Sequence, residues 1–197
     1  MESVSIGNGW FDPLIQYQAY YNFTVFPGNT YDYKPFNKST EKKMYDALYG
    51  QGNCVDQEKA CYAKGLDTGD KICSKADNYC ANNVELVLDD VANRDEYDIR
   101  ELMPDPFPET YYVKYLNTRK VQKAIGAVQN FSEYSYIVGT AFGNTGDDGR
   151  ESMTIESIRQ LLKQNVYINL YAGDADYNCV SRRLLTVRIV LTRYRTG

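Results

Sequence analysis

Val166-Tyr167-Ile168-Asn169-Leu170-Tyr171 runs straight into Ala172-Gly173-Asp174-Ala175-Asp176. The first six residues are β-branched, aromatic or apolar at nearly every position and predict a strand. The next five place a glycine turn and two carboxylates at its end. Just upstream, Met153 to Lys163 predicts an amphipathic helix with Ile155, Ile158, Leu161 and Leu162 on one face. A helix feeding a strand that ends in glycine and acids is an α/β arrangement. In open α/β sheets the chemistry lies beyond the carboxyl ends of the strands. Taken by themselves, Asp174 and Asp176 read as a solvated pair of turn acids.

At the other end of the chain, Val4 and Ile6 alternate with Ser3 and Ser5, which predicts a second strand over 3–7. Asn8-Gly9 signals a turn, and Asp12-Pro13 an N-cap with proline at the first helical position. A helix is expected through about Tyr21, then a loop over 22–37. Ser39 or Thr40 can cap the next helix, where Met44, Ala47 and Leu48 share a face. Tyr111 to Ala127 predicts two short helices with Val121, Ala124 and Ile125 buried. Gly143 to Gly149 predicts a loop. It lacks the Lys-Ser/Thr of a phosphate-binding loop, so no nucleotide is expected.

Cys54, Cys61, Cys73 and Cys80 are spaced by 7, 12 and 7 residues. Four cysteines allow three pairings. The mirror-symmetric spacing favours the nested one, Cys54–Cys80 around Cys61–Cys73. Reduced core cysteines are the alternative. There is no Cys-x-x-Cys, which argues against zinc. Asn22, Asn37 and Asn130 each open an Asn-x-Ser/Thr acceptor triplet. Together with the cysteines they point to an oxidising, glycosylating compartment. The N-terminal residues do not read as a signal peptide, so the natural start is expected upstream.

Composition excludes several classes of function. The chain has 197 residues and a net charge of −4, which gives no reason to expect nucleic-acid binding. No apolar stretch reaches the roughly 18 residues of a membrane span. Histidine is absent. No Ser-His-Asp or Cys-His site can therefore be completed within these residues, and no cofactor or metal is expected. A carboxylate metal site from Asp174 and Asp176, with Asp147 and Asp148, would have no histidine support.

Four motifs, in order, resemble the serine carboxypeptidases. Ile6-Gly7-Asn8-Gly9-Trp10-Phe11-Asp12-Pro13 is similar to the motif that follows a central sheet strand in that family. The cysteine pattern resembles the disulfide-rich insertion, or cap, of carboxypeptidase Y-like enzymes. Glu96-Tyr97-Asp98-Ile99-Arg100, Tyr115-Leu116-Asn117 and Val121-Gln122-Lys123-Ala124-Ile125-Gly126-Ala127 resemble the return from that cap. Tyr171 to Cys179 looks like the strand end that carries the triad acid. The resemblance implies an α/β fold: part of an α/β-hydrolase sheet with a mostly helical, disulfide-containing cap. It implies removal of C-terminal residues from peptide substrates by a Ser-His-Asp mechanism. Asp176 maps to the triad acid, Asp174 to a brace of the turn, and Cys179 to an unpaired cysteine near the substrate pocket. An inert, buried Cys179 is the alternative.

The organisation implied is a sheet strand at 1–10, the cap at 11–127, a hydrolase segment with the acid turn at 128–179 and a basic tail outside the family at 180–197. The parent protein would travel the secretory pathway to the vacuole or the cell exterior. Its Gly-x-Ser-x-Gly nucleophile motif is absent here, so this chain is expected to be catalytically incomplete. The rival reading is a non-catalytic secreted glycoprotein whose cap acts as a binding module. The tail holds five arginines and no acids, whereas the residues before it carry 17 basic groups against 26 acids. Val180-Ser181 is what an intron's opening bases encode in phase, so the tail is expected to be translated intron and Met1 an internal methionine.

Overall fold

The computed structural model describes residues 2–25, 31–64, 69–104, 110–147, 149–150 and 154–178. Asp148, Cys179 and the basic tail lie outside the described residues. Strand β1 is Ser3–Gly7. Helices follow: α1 Pro13–Val25, α2 Lys38–Tyr49, α3 Cys54–Tyr62 and α4 Asp70–Cys80. After a π-helical turn, Ala81–Glu85, come α5 Val87–Ala92, α6 Tyr111–Leu116, α7 Arg119–Ile125, α8 Tyr136–Thr145 and α9 Thr154–Lys163. Strand β2, Tyr167–Tyr171, closes the order.

The two strands pair in parallel, with Val4 opposite Ile168 and Ile6 opposite Leu170. Parallel neighbours need a crossover connection. Here that crossover contains all nine α-helices of the described residues. One sheet face, formed by Ile6, Ile168 and Leu170, packs on Phe11 and on Ile155 and Ile158 of α9. The alternation read from sequence thus puts apolar residues toward α9 and leaves Ser3, Ser5, Tyr167 and Tyr171 exposed.

The main core is helical. Tyr17, Tyr20 and Phe23 of α1 meet Met44 and Leu48 of α2, Val84 of the π turn, Leu88 of α5 and Tyr177 beyond β2. Disulfides join Cys54 to Cys80 and Cys61 to Cys73. They link the start of α3 to the end of α4 and the end of α3 to the start of α4, so the two helices run antiparallel with two rungs between them. Loop closure alone is worth about 3 kcal/mol per bond in the chain-entropy account.

Several local expectations are corrected. The loop expected from Asn22 starts later, because α1 continues to Val25. Phe23 and Thr24 are buried there, and the Thr24 hydroxyl is within hydrogen-bonding distance of the Tyr20 and Tyr21 carbonyls, 3.1 Å from each. Helix α2 is capped by Asn37 rather than by Ser39 or Thr40, since Asn37 Oδ1 accepts from the Thr40 amide at 2.9 Å. Helix α7 buries nothing, although Val121, Ala124 and Ile125 were expected in a core. Val121 is half-buried there, whereas Ala124 and Ile125 are exposed. The loop expected over 143–149 begins only after Thr145, where α8 ends on left-handed Gly146.

Candidate functional site

Beyond β2 the chain turns through Ala172–Asp174 and dives back into the protein. Ala175, Asp176 and Tyr177 are buried, whereas Asp174 is exposed. Gly173 permits the tight return, because a Cβ there would come within 3.2 Å of Asp176 Cβ. The turn is clamped through its backbone. Ile99 N donates to Ala175 O at 3.0 Å, and the amides of Tyr177 and Asn178 both donate to Glu96 O at 2.9 Å. The 95–99 loop that provides this clamp is shaped by buried Asp95, whose Oδ1 accepts from the amides of Tyr97 and Asp98 at 2.7 Å.

Tyr177 anchors the far side. Its ring packs on Tyr20 and Phe23, with centroids at 4.9 and 5.9 Å. Its hydroxyl sits between the carbonyls of Val84 and Glu85, at 3.1 and 3.0 Å. A π-helical turn breaks the regular i→i+4 ladder and leaves carbonyls in need of donors. The tyrosine hydroxyl supplies one to this pair. The acid turn is therefore tied to the helical core through the residue immediately after Asp176.

The two acids have different surroundings. Asp176 is only 5% exposed, and its Oδ2 accepts from the side-chain amide of Asn8 at 2.9 Å. Asn8 follows β1 in the left-handed conformation, with φ 52°, and its own amide donates to Tyr171 O at 2.9 Å. Asp174 accepts from the Tyr31 hydroxyl at 3.1 Å. The Arg100 guanidinium lies over the Tyr31 ring, 5.0 Å from its centroid, and ion-pairs with Asp98 at 2.5 Å. Hydrogen bonding from Arg100 holds the Asp98 carboxyl below the usual range. A solvated pair of equivalent turn acids does not describe this arrangement: one carboxylate is enclosed and the other faces outward.

Residues 1–185 match the family model described as serine carboxypeptidase. The chain belongs to the serine carboxypeptidase family. That is a family of α/β hydrolases, and here it appears as a helical body with a small parallel sheet and two disulfides. The match takes in the first residues of the tail expected to lie outside the family. Carboxypeptidase S1 homolog B of Arthroderma otae is 31% identical over 91% of this chain and 28% of that protein. Carboxypeptidase S1 of Penicillium janthinellum is 33% identical over 90% of this chain and 40% of that protein. Carboxypeptidase Y of Schizosaccharomyces pombe is 30% identical over 91% of this chain and 17% of that protein. The chain thus spans well under half the length of these relatives.

The other residues singled out in the sequence fall apart from the acid turn. Asp147 pairs with Arg150 at 3.3 Å and accepts from the Thr145 hydroxyl at 2.8 Å. Among the described residues no three acidic, cysteine or histidine side chains converge as a metal site. No helix among them is long and apolar enough to cross a membrane. Asn37 and Asn130 are exposed, whereas Asn22 is half-buried inside α1.

Sequence reasoning missed two side chains that build the site. Asn8 was read as a turn residue and as part of the motif after β1, with no contact to the acid expected. Gln16, fully buried, braces the turn between β1 and α1: its Oε1 accepts from the amides of Phe11 and Asp12, and its Nε2 donates to Gly9 O at 3.0 Å. A polar residue on the apolar face of α1, between Pro13 and Tyr20, was the available signal.

Proposed function

We propose that this chain is the acid-bearing segment of a secreted or vacuolar serine carboxypeptidase, with Asp176 as the triad acid. The observation that carries the reading is the asymmetry of the acid turn: Asp176 is buried and oriented by a side-chain amide, whereas Asp174 is exposed beside Tyr31. In the Ser-His-Asp scheme the acid is enclosed and holds the histidine in its working tautomer. Residues 3–7 and 166–171 then belong to the hydrolase sheet, and 11–127 to the cap. Cys179, three positions after the acid, lies outside the described residues and is assigned to the substrate pocket by the family resemblance alone. Asn37 and Asn130 are the glycan acceptors best placed on the surface.

Serine nucleophile and histidine come from outside these residues, since the chain holds neither a Gly-x-Ser-x-Gly motif nor a histidine. Alone it leaves peptides uncut. The purified chain, incubated with an N-blocked dipeptide bearing a free C-terminus, should release no amino acid above the buffer rate. Turnover by the chain would overturn the claim of incompleteness. The role of Asp176 is tested in a hybrid in which residues 2–178 replace the matched stretch of the Penicillium janthinellum enzyme. There Asp176→Ala should cut kcat by about four orders of magnitude, and Asp174→Ala far less. The reverse ranking would transfer the role to Asp174.

A further inference from the structure

We propose that Asn8 is a positioning residue for Asp176, orienting the carboxylate of the acid from the opposite strand. The inference rests on the reading of Asp176 as the triad acid. Three observations carry it. First, Asn8 Nδ2 donates to Asp176 Oδ2 at 2.9 Å across a sequence separation of 168 residues. Second, Asn8 is itself fixed. Its amide donates to Tyr171 O, one step past the last pair of the parallel ladder, and its φ of 52° turns the chain out of β1 at that point. Asparagine tolerates that left-handed conformation better than most residues. Third, the carboxylate that receives the bond is buried, and its backbone is clamped on both sides by Glu96 and Ile99.

The chemistry follows from the geometry. A carboxylate on a short side chain can rotate about χ2 with little resistance. A neutral amide donor at one oxygen stops that rotation without bringing a second charge. It thereby aims the rest of the carboxylate at the group the acid must hold. Such alignment is worth large factors in rate, because a displacement of about 1 Å costs roughly a hundredfold.

The test uses the hybrid enzyme described above, with two variants chosen to separate the side chain from the backbone. Asn8→Gly removes the amide while favouring positive φ. Asn8→Asp keeps the shape but replaces the donor by a second carboxylate. Both should lower kcat by about tenfold to a hundredfold and leave KM within about twofold, with Asn8→Asp the more damaging. A merely structural role would lower the amount of folded enzyme but leave kcat per active site unchanged. Unchanged kcat in Asn8→Gly, with Asp176→Ala inactive, overturns the proposal and leaves the functional reading standing. Activity that survives Asp176→Ala overturns the reading itself. The 197-residue chain gives an independent measurement should the hybrid not fold. Unfolding constants of Asn8→Gly, Asp176→Ala and the double variant are expected to depart from simple multiplication by about threefold or more. Strict multiplication would mean that the two side chains do not interact, and the proposal would fall.

Discussion

Glu58 occupies a position that disfavours its own charge. It lies on α3 with its side chain fully buried, and among the described residues neither carboxylate oxygen has a hydrogen-bond partner. Burial first, then the nearby charges of Asp77 and Asp12, push its carboxyl up from 4.5 to about 8. The groups around it reinforce this. Tyr17 donates to Asp77 at 2.9 Å and Tyr62 to Asp12 at 2.6 Å, and burial raises both phenols as well. A neutral carboxylic acid is the form this site accepts. The unfolded chain ionises near 4.5 and the folded one near 8, so between those values the folded state holds the extra proton. Stability attributable to Glu58 is complete below about pH 4.5, falls as pH rises, and is lost once pH passes about 8. The loss is on the order of 5 kcal/mol. Urea midpoints measured from pH 5 to pH 8 should fall in the wild type and stay nearly flat in Glu58→Gln. Parallel curves for the two proteins would refute it.

The join between α4 and α8 depends on a single small residue. Gly146 ends α8 at φ 67°, and a Cβ there would lie 2.2 Å from the backbone nitrogen of Ser74. Around it, the Ser74 hydroxyl donates to Gly143 O at 2.7 Å, and buried Arg150 pairs with Asp70 at 2.8 Å. Gly146→Ala should therefore destabilise the protein by about 2–4 kcal/mol, combining left-handed strain with backbone overlap. Thermal unfolding of the variant checks this, and a shift below 1 °C would contradict the packing described. At this scale the sequence was partly legible. Strand β2 and helix α9 were visible because their periodicity is carried by neighbours a few residues apart. The π turn was not, because the partner of its carbonyls, Tyr177, follows β2. The end of α1 was misjudged for a similar reason: Phe23 and Thr24 are held in the helix by burial against Met44 and Tyr177, which no local propensity records.

Across the whole molecule, apolar surface is distributed unevenly. Helices α1 to α5 enclose a well-packed core, while α6, α7 and α8 bury no side chain. Val128 is 100% exposed and Ile137 82%, close in sequence to exposed Tyr111, Tyr115, Ile125, Tyr134 and Tyr136. The β1–β2 pair is covered by α9 on one face and presents Tyr167 and Tyr171 to solvent. Exposed apolar side chains in such number favour association when they form contiguous patches. The isolated chain should self-associate in sedimentation velocity as its concentration rises. Val128→Lys with Ile137→Lys should shift it toward monomer without altering the disulfide-bonded core. A concentration-independent monomer in the wild type would refute this expectation.

The sequence by itself determined the family, the two strands, most of the helices and the acid turn, because each is written in motifs or periodicities spanning a few residues. Only the tertiary structure decided which turn acid is enclosed and what holds it. Asp176 differs from Asp174 by its contact with Asn8 from β1 and by the clamps from Glu96 and Ile99. None of those partners lies near it in the chain. A carboxylate's surroundings depend on what the fold brings within about 3 Å of it, and residues two positions apart in a turn can end up with opposite environments.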